Sequence, residues 1–432
     1  MLIRFEASNH RSIMEPIRLS MIAVDEERPA ARPFELLGER LLTVAGIYGA
    51  NASGKSNVLD ALSWLSHAAR NSLRIWEEAI PRDPFRFGKG PASPSIFDLE
   101  MMVAGVRYAY RVELSDEEII FEGLYSYPER RRRSLFERDG LELRFRRGTV
   151  GVGAVRELLT PTTLALSAAM RYEQSEIRDF GRSLANIGVL GARRRGPFRR
   201  GVVAFGPAYG RLMTERIFLT DGLEAHQPSL FAGDGQDRDD SRNAAVSLLR
   251  FADLGIDDVE VVEEAVEATG SEAPRRSLRL VHRTASERAP FELFDESEGT
   301  QTWFRLIGPA LRALRVGQTL LLDEIDANLH PRLSARLLEL FQDPDTNPYG
   351  AQLLFSTHDT SLLNHLNRDE VWLTEKGDDG ATRLIALAEF GGDKVRRSLN
   401  LEKAYLQGRF GAVPELDQFE LRRALGLRDA SE

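Results

Sequence analysis

One octapeptide limits what this chain can fold into more than any other feature. Gly49-Ala50-Asn51-Ala52-Ser53-Gly54-Lys55-Ser56 fits the pattern GxxxxGK[ST]. It stands in the context that gives the pattern meaning: the β-rich apolar run 41–48 precedes it, and Val58, Leu62, Leu65 and Ala69 follow at helical spacing. A buried strand, a glycine loop and a helix in that order place a helix N-terminus and several free backbone N–H groups against one small space. Such a nest binds phosphate oxygens. Lys55 can reach the terminal phosphates and the Ser56 hydroxyl can ligate Mg²⁺. Only five of the 57 basic residues are lysines, so a lysine at this position is informative.

A second apolar run, Leu320-Leu321-Leu322, ends in Asp323 and Glu324. Beside a phosphate loop, a strand ending in adjacent acids suits Asp323 to the Mg²⁺ shell and Glu324 to orienting or deprotonating an attacking water. Pro331 fits the first turn of a helix whose Leu333, Leu337, Leu340 and Phe341 face inward, with Pro344 beyond its end. Residues 351–356 read as a further core strand. Leu2, Ile3 and Phe5, then Ile17 and Leu19, read as a strand hairpin, and 96–127 alternates with period two as an antiparallel meander. Between 154 and 219 the apolar spacing is more helical. The stretch 226–242 looks like an exposed loop.

The chain has no cysteine, which excludes disulfides, thiolate metal sites and cysteine nucleophiles. No apolar stretch is long enough for a membrane helix and the start carries no secretory run, so the expected location is the cytoplasm. A net charge of −9 gives no global attraction to nucleic acid. Contact with it would have to use the arginine clusters at 130–133 with Arg138, Arg144, Arg146 and Arg147, or at 193–195 with Arg199 and Arg200. Phe136, Phe145 and Phe198 interleave with them. The segment 405–411 mixes aromatics and glycines and is suited to docking on the core or on a partner.

Together these motifs resemble the ATP-binding-cassette ATPases of the RecF and SMC type, especially the OLD-like bacterial ATPases associated with phage defence. Asp323-Glu324-Ile325-Asp326-Ala327-Asn328-Leu329-His330-Pro331 looks like a Walker B followed by a D-loop at Asn328, Leu329 and His330. Phe355-Ser356-Thr357-His358 resembles the strand and switch histidine. The turn holding Arg11 resembles the N-terminal basic contact to phosphates, and Asp295-Glu296-Ser297-Glu298-Gly299-Thr300-Gln301 stands where the family has its signature. The resemblance covers roughly 1–127 and 278–375.

It implies an α/β fold: a P-loop ABC-type ATPase head with an antiparallel β-subdomain and a helical insertion. The expected division is an N-terminal lobe at 1–150, a mainly helical insertion at 151–277, a C-terminal lobe at 278–375 and a tail at 376–432. ATP and Mg²⁺ are the implied ligands. Arg11, Asn51, Gly54, Lys55, Ser56 and Asn57 would hold nucleotide, with Ser297 and Gly299 acting from a second copy. Ser56 and Asp323 would hold the metal, and Glu324 and His358 would serve the chemistry. A homodimer or higher homo-oligomer opening and closing with nucleotide follows. Controlling a separate nuclease or toxic effector in antiviral defence is the expected role, with a RecF-like DNA clamp in repair as the alternative. No glutamine occurs between Lys55 and Gln174, so the family's Q-loop glutamine has no counterpart. The residues after His358 lack a convincing DxD cluster, which speaks against a fused Toprim nuclease.

Overall fold

The computed structural model describes residues 1–34, 37–146, 152–172, 176–191, 207–219, 235–253, 255–264, 275–390 and 400–411. Its centre is a six-stranded sheet in the order Gly188–Leu190, Thr319–Leu322, Gln352–Ser356, Val44–Gly49, Val371–Lys376, Thr382–Ala386. All neighbours are parallel except the last pair. Every residue of Val44–Gly49, Thr319–Leu322 and Gln352–Ser356 is buried, as a sheet covered on both faces requires. Strand alternation divides them between two cores. Ala45, Ile47, Leu321 and Leu354 face the helix Lys55–Ile75 through Val58, Leu62 and Leu65. Val44, Tyr48, Leu320, Leu322, Leu353 and Phe355 face the helices Glu298–Val316 and Pro331–Gln342 through Trp303, Ile307, Leu337 and Phe341.

The first core continues into a seven-stranded antiparallel sheet in the order Glu142–Phe145, Arg133–Asp139, Ile119–Tyr127, Val106–Leu114, Ser95–Val103, Leu2–Ser8, Ile17–Ser20. The expected hairpin and meander are both in it. Trp64 of the helix Lys55–Ile75 stacks on Phe97 with ring centroids 4.8 Å apart, so this helix lies between the two sheets. Further along it, Ser66 Oγ donates to Leu184 O at 2.8 Å and Arg70 donates to Ala185 O, which fastens the end of the helix Glu176–Ala185.

Within 151–277 the described residues include the helices Ala165–Ala169, Glu176–Ala185, Pro207–Leu219 and Gly235–Ala252. They also include Gly188–Leu190, too short to announce itself by alternation, and Ile256–Glu264, which pairs in a three-stranded antiparallel sheet with Arg275–Arg283 and Arg288–Glu292. The loop expected at 226–242 is corrected in its second half. Helix Gly235–Ala252 runs through it, because Ala245, Val246 and Leu249 are buried at helical spacing and Trp303 Nε1 donates to Leu248 O at 2.7 Å. Residues 226–234 and the arginines at 193–200 lie outside the described residues. The aromatic segment after Asn400 docks on the core: Tyr405 and Phe410 are buried, and Tyr405 meets Tyr48 edge to face. Among the described residues no helix is long and apolar enough to cross a membrane.

Fully buried Gln352 stitches the two sheets together. Its Nε2 donates to Leu2 O and Leu42 O, both at 2.9 Å, and its Oε1 accepts from Leu2 N at 2.5 Å. Gln352→Leu keeps the volume but strands one N–H and two carbonyls, so unfolding free energy in urea should fall by about 2–4 kcal/mol. A loss under about 0.5 kcal/mol would show that these groups find other partners.

Candidate nucleotide site

The register Leu322↔Phe355↔Gly46 brings the C-terminal ends of three strands side by side. The glycine loop leaves from one, Asp323 and Glu324 from another, and Thr357 and His358 from the third. In an open parallel sheet this edge is where ligands bind.

The loop is held from behind by the strands after it. Gly49 and Gly54 have φ of +150° and +111°, and a Cβ at either would run into Thr374 Oγ1 or Thr382 Oγ1. The same hydroxyls are the loop's supports. Thr374 Oγ1 donates to Tyr48 O at 3.1 Å and lies 2.6 Å from Ser53 Oγ, while Thr382 Oγ1 donates to Ser53 O at 2.8 Å. Asn57 Nδ2 donates to Ser12 Oγ at 2.5 Å, and Thr382 N donates to Ser12 O at 2.7 Å. Asn51 and Ser56 are exposed, Asn51 in the loop and Ser56 on the first turn of the helix.

Lys55 curls under the loop, donating from Nζ to Gly49 O at 2.8 Å and Ala50 O at 3.1 Å, with His358 Nδ1 at 3.5 Å. Burial pushes its ammonium below the usual lysine value, and the fields of Asp326, Asp323 and Glu324 oppose that shift. Ser356 Oγ donates to Asp323 Oδ1 at 2.5 Å and accepts from Glu324 N at 2.9 Å, so one hydroxyl sets both acids. Glu324 is exposed and has φ +56°. Asp326 holds the opposite strand end, accepting from Thr357 Oγ1 at 2.7 Å and from His358 N at 3.3 Å.

Arg11, Ser297 and Gly299 are engaged with other partners. The Arg11 guanidinium is 2.9 Å from Asp60 Oδ2, an oxygen that also meets His10 Nε2 at 2.8 Å, and 3.7 Å from Asp83. Ser297 caps the helix Glu298–Val316 by accepting from Thr300 N at 3.1 Å. A Cβ on Gly299 would be 3.1 Å from Asn328 O, so this turn packs against the loop that holds Asn328 in the same chain. His330 caps the next helix, its Nδ1 accepting from Arg332 N at 3.2 Å.

Asp326 is the member of this cluster that sequence reasoning missed. Its signal is a third acid three residues after Asp323, but its task depends on the neighbouring strand. Asp326, Asp323 and Glu324 all act on the one ammonium of Lys55, an oxygen-rich set with negative charge to spare. That composition fits a hard divalent cation such as Mg²⁺, and a loop bent by two glycines backed against threonines, leading into a helix N-terminus, fits phosphate.

Residues 44–364 match the family model described as "AAA domain, putative AbiEii toxin, Type IV TA system". The chain belongs to this family. Its fold is α/β, with a phosphate loop between a buried parallel strand and a helix, as an AAA-domain ATPase family requires. No curated protein matches it. Among solved structures it is similar to the crystal structure of an SmcHead bound to the C-winged helix domain of ScpA, with 13% identity, a TM-score of 0.42 and coverage of 89% of this chain and 96% of that one. A Pyrococcus furiosus Smc head with an extended coiled coil, bound to the C-terminal domain of ScpA, aligns at 13% identity and TM-score 0.40 over 90% of this chain and 97% of that one.

The cradle makes a quantitative contrast. Gly105 has φ +79° and open space for 4 Å around the point where a methyl would stand, whereas Gly54 adds collision with Thr382 to its positive φ. Gly105→Ala should cost about 1 kcal/mol of strain in denaturant unfolding. Gly54→Ala should cost at least about 2 kcal/mol and weaken nucleotide affinity as well. Equal losses would mean that the threonine contact is not tight in solution.

Proposed function

We propose that the chain is a Mg²⁺-dependent ATPase that works as a nucleotide-driven dimer switch, an OLD-like regulator in antiviral defence that controls a separate nuclease or toxic effector. The convergence of Lys55, Asp323, Glu324, Asp326 and His358 at three neighbouring strand ends carries the ATPase part. Ser56 and Asp323 would hold the metal, which when bound neutralises charge on the phosphate oxygens. Lys55 exchanges its loop carbonyls for phosphate, Glu324 takes the proton of the attacking water, and Asp326 keeps the His358 backbone at the rim.

The dimer part is supported by the signature's position. Ser297 and Gly299 lie on the D-loop of their own chain and share no hydrogen bond or ion pair with Lys55, Ser56 or His358 among the described residues. Ser297 is exposed, as a group acting on a second copy would be. The family description names a putative toxin of a toxin–antitoxin system, which supports a genetic partner for this chain while putting the toxic activity in the family itself. The RecF-like alternative draws on the exposed arginines 130–133. Arg138 does not contribute to it: it is buried and donates to Gly140 O at 2.6 Å and Thr160 O at 2.8 Å.

Lys55→Ala should abolish turnover and weaken ATP binding, measured as phosphate release and nucleotide affinity together. Wild-type turnover in that variant would sink the ATPase assignment. The purified chain with ATP and Mg²⁺ should leave plasmid and tRNA intact; cleavage that survives rigorous purification and is lost on mutation outside this site would overturn the separate effector.

Glu324→Gln should bind ATP yet hydrolyse it about a hundredfold more slowly or worse. Light scattering should then show an ATP-dependent dimer, and adding Ser297→Arg should prevent it. An unchanged mass with ATP in Glu324→Gln would refute closure in trans.

A further inference from the structure

A second cluster of metal-ligating side chains lies outside the ATPase centre. Asp253 follows the helix Gly235–Ala252, His282 lies on the strand Arg275–Arg283, and Glu296 immediately precedes the capping Ser297. One ligand atom from each falls within 4.8 Å of the others, all three residues being half-buried. His282 Nε2 is 2.7 Å from Glu296 Oε1. The Glu296 side chain is only 7% exposed.

Two features distinguish this trio from an ordinary charged surface. Four acids of the same small sheet have arginine partners: Asp257 with Arg288, Asp258 with Arg242 at 3.2 Å, Glu263 with Arg276 at 2.8 Å and Glu292 with Arg279 at 3.4 Å. Asp253 and Glu296 have neither lysine nor arginine among the described residues, and one imidazole stands between two carboxylates. Burying a second carboxylate without a cation is unfavourable. The approach is also built into the backbone. A Cβ on Gly255 would sit 3.0 Å from His282 Nδ1 and 3.1 Å from Asp253 Oδ1, and Gly255 N donates to Asp253 Oδ1 at 2.8 Å. A glycine lets the imidazole and the carboxylate close on one point.

We propose that Asp253, His282 and Glu296 form a binding site for a divalent transition-metal ion of the Zn²⁺, Co²⁺ or Mn²⁺ class. One imidazole and two carboxylates leave coordination positions for water, and the imidazole favours these ions over Mg²⁺ and Ca²⁺. The bound ion replaces the His282–Glu296 hydrogen bond with two metal–ligand bonds and supplies the missing positive charge. It joins the end of a helix, the middle strand of a small sheet and the residue before the signature serine. The site stands on its own geometry and holds whether or not the chain hydrolyses ATP.

The test uses the full chain, stripped with chelator and free of nucleotide. ZnCl₂ titrated calorimetrically, and CoCl₂ followed by visible absorption, should each show about one saturable equivalent at this site. Asp253→Asn and Glu296→Gln preserve shape and should each weaken that binding at least about tenfold, while Asp323→Asn in the ATPase centre should leave it unchanged. His282→Gln should remove the imidazole contribution to the cobalt spectrum while circular dichroism stays native. Absence of saturable binding, binding unaffected by Asp253→Asn and Glu296→Gln, or binding lost only with Asp323→Asn would each overturn the site.

Discussion

The missing methyl groups at Gly49 and Gly54 are the constraint on which the nucleotide end depends. Both backbone positions are left-handed, and both are pressed against a threonine of a following strand. Because Thr374 and Thr382 fill the space a Cβ would need, their hydroxyls can hold Tyr48 O and Ser53 O and fix the curve of the loop. That curve determines where the helix begins, hence where Lys55 and Ser56 stand. The loop is shaped by steric exclusion from behind, so its open face is free for a ligand.

The opposite wall is organised by hydrogen bonds. Ser356 serves Asp323 and the Glu324 backbone at once, and Asp326 returns the contact to Thr357 and the His358 backbone. Two strand ends thus exchange partners in both directions. Glu324 has a positive φ and an exposed side chain, and only its backbone N–H takes part in that exchange. Asp326, by contrast, spends its carboxylate on anchoring the neighbouring strand end.

Much of this was legible in the chain because its signals are local. The phosphate loop, the acidic strand end, Pro331 in a helix's first turn and the period-two meander are each set by residues within a few positions of one another. What escaped depends on partners far away. Gly188–Leu190 becomes a strand because Thr319–Leu322 offers it an edge, and Gly235–Ala252 extends through a polar stretch because its later residues pack near Trp303. Thr374 and Thr382 look like ordinary strand residues until pairing sets them under the glycines. The hold of Arg11 on Asp60, with His10 on the same oxygen, needs the three-dimensional turn.

The fastening of Leu184 by Ser66 closes a mechanical circuit. From the loop, the path runs down the helix to Ser66, across to Leu184, along Gly188–Leu190 and into the neighbouring strand, where Asp323 N donates to Leu190 O at 3.0 Å. It then returns to the loop through Ser356 and the strand Val44–Gly49. A chain of rigid links that closes on itself has few independent movements. The phosphate side and the acid side of the cleft are therefore members of one frame, resistant to being prised apart.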